Sequence, residues 1–148
     1  MPERQPHPHE EMLRAIYADL SLLGRFASED IVLHAHGSRD IMAGDYVGKQ
    51  AVLAREAELY RRSGGSLAMT ADHIVANDNF GAVLGRFTAN RNGTRFVAEV
   101  CGLWRFADGL IVEHWEHCAD WPAAERFLVD WFTSEPGSAP ASAHGGGS

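Results

Sequence analysis

The chain has 148 residues, enough for one domain with a buried core, and its 45% hydrophobic and 22% charged residues are those of a globular protein. A formal net charge of -7 argues against a general nucleic-acid binder, which needs a basic patch. No apolar run can span a bilayer, the segment MPERQPHPHEE lacks the apolar stretch of a secretory leader, and Cys101 and Cys118 make no disulfide framework, so a cytoplasmic protein with reduced thiols is expected.

Residues 1–8 are rich in Pro and His and are read as a flexible N-terminus. From His9 to Phe26, Met12, Leu13, Ile16, Tyr17, Leu20 and Leu23 recur at helical spacing. Ile31 to Ala35 reads as a short strand and Gly37 to Gly48 as a polar loop. Lys49 to Arg62 repeats apolar residues at Val52, Leu53 and Leu59, and Ser63-Gly64-Gly65 closes it, which predicts a second helix. Strands follow at Leu67 to Ala76, Gly81 to Asn90, Thr94 to Phe106 and Leu110 to Cys118, with tight-turn signals at Asn92-Gly93 and Asp108-Gly109. Pro122 to Phe132 reads as a terminal helix. Residues 133–148, with SEPGSAPASAHGGGS, lack large apolar groups and are expected to be a disordered tail ending in linker-like GGGS. The domain proper is therefore 9–132. Helices followed by a meander of antiparallel strands indicate an α+β fold, with helices packed on one face of a sheet.

The stretch Trp104 to Asp120, WRFADGLIVEHWEHCAD, concentrates ionisable and aromatic groups. If Asp108-Gly109 is a two-residue turn, Ala107 pairs with Leu110. Counting outward then sets Trp104 opposite Glu113, Gly102 opposite Trp115, and Val100 opposite His117. That face continues through Phe96, Ala98, Phe106 and Ile111, and is the expected concave side. His114 and Glu116, opposite Leu103 and Cys101, are expected outside. A bulge would invert part of this assignment.

DIVLHAHGSRDIMAGDYVGKQAV, VANDN and GLWRFADGLIVEHWE together resemble the SnoaL-like branch of the nuclear transport factor 2-like superfamily, over about residues 10–132. Members are similar to polyketide cyclases, ketosteroid isomerases and limonene epoxide hydrolases. The resemblance implies a cone, a strongly bent antiparallel sheet around N-terminal helices with an internal pocket, and commonly a dimer. In ketosteroid isomerases a Tyr on the first helix and an Asp on the long strand form an oxyanion hole, and another Asp is the base. Tyr17 matches the tyrosine, while His34 and Gly102 stand where the carboxylates would be. The epoxide-hydrolase triad falls on Val83, Gly85 and His117. Both borrowed mechanisms therefore lack their carboxylates. In the cyclase branch an acidic residue near the end of the last strand acts as acid or base, and Asp120 is its nearest match.

Histidines titrate near neutrality, so His34 and His117 are the expected acid/base pair; the plain alternative is pocket histidines held by hydrogen bonds. Tyr17 is the expected oxyanion donor and Asp120 a possible acid, or else the cap of the helix near Pro122. Trp104, Trp115, Phe87, Val100 and Gly102 are expected to line the ligand, with Glu113 orienting a histidine and His36 and Tyr46 at the mouth beside Asp40 and Asp45. The face sorting separates His114 from His117, so no metal is expected. Cys101, with Glu116 expected opposite, is a poor nucleophile. The expected function is a cofactor-independent proton-transfer cyclase or isomerase on a small hydrophobic polyketide-, terpenoid- or other ring-forming molecule. The competing readings are a non-catalytic binding or dimerisation module, and a hydrolase in which histidine activates water. The exposed face bearing Cys101 and Leu103 predicts a homodimer.

Overall fold

Helix α1 spans Pro8–Ala18, one residue earlier than its apolar periodicity suggests, because Pro8 occupies its first turn and the His7 ring accepts a hydrogen bond from the His9 backbone. Glu10 and Glu11 complement the positive end of the helix. The expected helix to Phe26 breaks at Asp19. Its carboxylate accepts from the Ser21 N–H and Oγ at 3.1 and 2.6 Å, drawing the chain into a 3-10 turn, Leu20–Leu22, before α2 resumes at Leu23–Phe26.

The computed structural model describes residues 4–37, 42–91 and 93–120, with 122, 123 and 126. Most of the terminal helix, the 133–148 tail with His144, Asp40 and Asn92 of the second turn signal lie outside these residues. After α2 come β1 (Ala27–Ala35), β2 (Gly44–Val47), α3 (Lys49–Arg62) and strands β3 to β6 at Ala68–Ala76, Phe80–Arg91, Thr94–Ala107 and Leu110–Cys118. The short edge strand β2 occupies part of the segment expected to be loop, and Val47 there is exposed. Helix α3 has the bounds that the sequence predicts.

The strands form one curved, unclosed six-stranded sheet in the order β2-β1-β6-β5-β4-β3. Every pairing is antiparallel except β1 with β6, which is parallel, so the sheet is mixed rather than the simple meander expected. The core lies between the helices and the concave face, where Leu13, Ile16, Ile31, Leu33, Val52, Val83 and Ile111 are fully buried. Each such side chain contributes about 1.5–3 kcal/mol relative to exposure. No helix among the described residues is long and apolar enough to cross a membrane.

The β5–β6 hairpin turns where the sequence places it. Asp108 and Gly109 both have positive φ (52° and 78°), and Ala107 pairs with Leu110. Phe106 then pairs with Ile111, but Arg105 pairs with Glu113, leaving Val112 as an extra residue. This β-bulge reverses the faces of β6 from Glu113 onward. Trp104 faces His114 across the strands, Gly102 faces Glu116, and Val100 faces Cys118. The expected inward placement of Glu113 and Trp115 is thus corrected.

Candidate active site

Between α1, α3 and the concave sheet lies a cavity of about 140 Å³ with a mostly apolar wall. Phe87 and Phe96 meet edge to face in that wall at 6.0 Å, and Val100, Ala98, Met69 and Leu59 extend it. The polar groups of the lining include Tyr17, Arg55, Glu56, Trp104, His114, Glu116 and His117.

Three of these converge above Gly102. A Cβ at that position would overlap the Tyr17 hydroxyl and lie 3.1 Å from both His114 Cε1 and Trp104 Nε1. Glycine is therefore required by close approach. Trp104 stacks on His114 with ring centroids 3.4 Å apart and meets Tyr17 edge-on at 6.0 Å. Burial pushes the Tyr17 hydroxyl well above the ordinary phenol range, so it serves as a hydrogen-bond donor and not as a base. The Trp104 indole N–H lies close enough to the Tyr17 oxygen to oppose that shift, yet it makes no hydrogen bond of standard geometry. It is a buried donor awaiting an acceptor.

His114 is 5% exposed, and its Nδ1–H donates to the Leu103 carbonyl at 2.9 Å. A carbonyl can only accept, so this bond fixes the tautomer and leaves Nε2 as the second ring nitrogen, 3.5 Å from Glu116. Glu116 in turn accepts a 2.8 Å bond from Arg55 Nη1. Burial works against the Glu116 carboxylate, but Arg55 and His114 outweigh it and hold its pKa well below the usual carboxylate range. Arg55 is 6% exposed, lies 5.7 Å from the Tyr46 ring centroid, and Tyr46 donates to the Met42 carbonyl at 2.9 Å. Tyr46 thus ties the loop to the site from behind Arg55.

The other candidates sit elsewhere. His34 pairs in register with Trp115 on the convex side, where its ring bonds Asp45 at 2.8 Å and Glu113 at 2.5 Å. Those two hydrogen bonds, Glu113 first, raise its pKa. Glu113 is held low by His34 and by Arg105, whose Nε lies 3.0 Å away. The expectation that His34 projects into the pocket fails because adjacent β1 residues alternate faces and Leu33 takes the inward one. Trp115 stacks on His34 at 5.4 Å and lines an outer groove with Leu103, Phe80 and Val75. His117 is the exception among these: it pairs with Cys101 and has the opposite parity from His114, yet it too lines the cavity, its ring 5.3 Å from that of His36. Cys101 therefore faces a histidine rather than Glu116. The Asp120 carboxylate accepts from the Ala123 N–H at 3.1 Å, the capping role.

A family model described as a SnoaL-like domain matches residues 11–114. The chain belongs to the SnoaL-like family. This SnoaL-like protein is similar to Bal32a from a soil-derived mobile gene cassette, at 26% identity and TM-score 0.69, covering 79% of this chain and 91% of that one. A protein of unknown function with a cystatin-like fold from Xanthomonas campestris is 25% identical at TM-score 0.70, covering 79% and 92%. IdmH, a candidate polyketide cyclase from Streptomyces antibioticus, shares the fold at 20% identity and TM-score 0.63, covering 76% and 93%. No curated protein matches the sequence.

Arg55, Glu56, His114 and Glu116 were missed as inward groups by reading the sequence. A signal for two of them exists: Val52, Arg55, Glu56 and Leu59 are spaced i, i+3, i+4, i+7, which puts two charges on the buried stripe of α3.

Proposed function

We propose that this SnoaL-like protein is a cofactor-independent proton-transfer enzyme of the cyclase or isomerase type. Its ligand is a small, flat, apolar molecule carrying an enolisable carbonyl. The observation that carries this reading is the convergence of the Tyr17 hydroxyl, the unpartnered Trp104 N–H and the His114 ring over Gly102, inside an apolar cavity. A carbonyl oxygen placed there would accept from Tyr17 and Trp104, donors that bind a developing enolate more strongly than the ketone. His114 Nε2 would take the α-proton, and Glu116 beside it would stabilise the resulting imidazolium. His114 replaces His34 and His117 in this role.

A simple probe is 2-tetralone, a bicyclic ketone with acidic α-protons. In D2O the protein is expected to accelerate its α-deuteration, followed by NMR. His114→Gln should slow exchange by about 100-fold or more, and Tyr17→Phe by about 10- to 100-fold. Exchange at the buffer rate, with 2-tetralone nonetheless raising the melting temperature, would replace the enzyme by a binding module.

We also propose a homodimer built on the convex sheet face. Val75, Phe80, Leu84, Val97 and Leu103 are all exposed there, and ion pairs of both signs, Arg86–Asp72 and Arg105–Glu113, lie at the same face. An apolar centre with mixed charges around it is self-complementary under a two-fold axis. Sedimentation velocity should show a dimer that Leu103→Glu dissociates; a monomer at high protein concentration contradicts it.

A further inference from the structure

His34 has no part in the mechanism above, and its contacts decide what its ring must carry. Nδ1 lies 2.8 Å from a carboxylate oxygen of Asp45, and Nε2 lies 2.5 Å from one of Glu113. A carboxylate only accepts, and a neutral imidazole has a single N–H. Both contacts are therefore made only by an imidazolium. The groups facing the ring are Asp45 from β2 and Glu113 from β6, with Arg105 of β5 braced on the other Glu113 oxygen at 3.0 Å. Trp115 stacks on the ring, and two residues beyond His34 and Trp115 come His36 and His117.

The two carboxylates are not equivalent. The Glu113 side chain is 23% exposed against 69% for Asp45, and Glu113 keeps Arg105 in either state of the ring. When His34 loses a proton, the remaining N–H stays on Glu113. The bare Nδ1 then faces the Asp45 carboxylate, acceptor against acceptor. Asp45 lies in β2, a four-residue edge strand paired to β1. The next residue, Tyr46, projects to the opposite face, pairs with Leu33 and stands behind Arg55.

We propose that His34 is a proton-operated clasp. As an imidazolium it fastens β2 to the sheet; on losing its proton it lets β2 and Tyr46 withdraw from behind Arg55. Solution pH, sensed on the convex face, is thereby coupled to the seating of the Arg55–Glu116 pair in the cavity. This goes beyond the proton-transfer reading and holds whether or not the protein turns over a ketone.

Hydrogen bonds to Glu113 and then Asp45 raise the pKa of His34 above the ordinary histidine value. The clasp is therefore fully closed below the pKa of an unfolded histidine, about 6.5. It opens, and the stabilisation it supplies is lost, as pH rises through the higher folded value.

The test follows the His34 Cε1–H of the full-length protein by NMR between about pH 5.5 and 9, while amide hydrogen exchange is measured from Asp45 to Val47. After correction for the intrinsic pH dependence of exchange, protection of these amides should drop by about tenfold or more as the ring deprotonates, the effect of losing one charge-assisted hydrogen bond. The Arg55 Nε–H, itself buried, should lose protection over the same interval. His34→Arg, a permanent cation, should keep β2 protected across the whole range. Asp45→Asn should do the same, because an amide can donate to the bare Nδ1 as well as accept from the protonated one. If His34→Arg does not fold, Asp45→Asn and the unmodified protein carry the test. Protection of β2 that does not follow the His34 titration, or a His34 ring titrating at or below the ordinary histidine value, overturns the clasp. Loosening of β2 that leaves the Arg55 Nε–H unmoved overturns its link to the cavity. Absence of 2-tetralone exchange beside an intact pH response of β2 overturns the proton-transfer reading alone.

Discussion

Arg55→Met is expected to destabilise the protein by about 3–5 kcal/mol, toward the lower end because Glu116 opens onto the cavity rather than being sealed. The substitution preserves most of the side-chain volume but removes the cation from a site holding two carboxyl groups. Glu116 loses its 2.8 Å partner, and both acids are left facing each other in apolar surroundings. Urea denaturation at pH 7 reads the loss directly. A second substitution, Glu116→Leu, should restore part of it, since an apolar pair can replace a buried ion pair at little cost. A loss below about 1 kcal/mol for Arg55→Met would mean that water reaches the pair and that the site is not dry.

Gly102→Ala is the corresponding experiment on function. The added methyl group collides with the Tyr17 hydroxyl and presses on His114 and Trp104 at 3.1 Å. Tyr17 is 6% exposed and packed against Trp104, so it cannot swing freely aside. Overpacking of this kind costs about 1–3 kcal/mol. The larger consequence is for the site, because the methyl must displace the Tyr17 hydroxyl from its place over Gly102. Deuteration of 2-tetralone should fall to within about tenfold of the buffer rate, a loss comparable with removing an oxyanion donor. If the variant keeps its turnover and its stability, the three groups do not define the reacting position.

Much of the scaffold was legible because its signals are local. The α3 bounds, the Asp108-Gly109 turn and the pairing of Ala107 with Leu110 follow from capping residues, positive-φ residues and alternation. The inward set of β5, with Trp104, Gly102, Val100 and Phe96, also follows from alternation alone. The site was less legible because face assignment is a running count, and one unpaired residue reverses everything beyond it. Val112 gives no warning: it is a β-branched residue well suited to a regular strand and not the glycine that often marks a bulge. The break at Asp19 is readable in retrospect, since Asp followed two residues later by Ser competes with the helix for backbone donors. The parallel pairing of β1 with β6 joins the two ends of the domain, which no local pattern encodes.

The extra residue in β6 also bears on how relatives are compared with this chain. Position labels transferred along the last strand without a gap will be correct for Ile111 and wrong for everything from Glu113 to Cys118 wherever the relative's strand runs straight. In such a relative, the counterpart of His114 is the residue one place earlier by plain counting, and an acidic residue aligned with Glu113 corresponds in space to His114. Site residues carried along β6 from such a relative therefore need a gap of one residue at Val112.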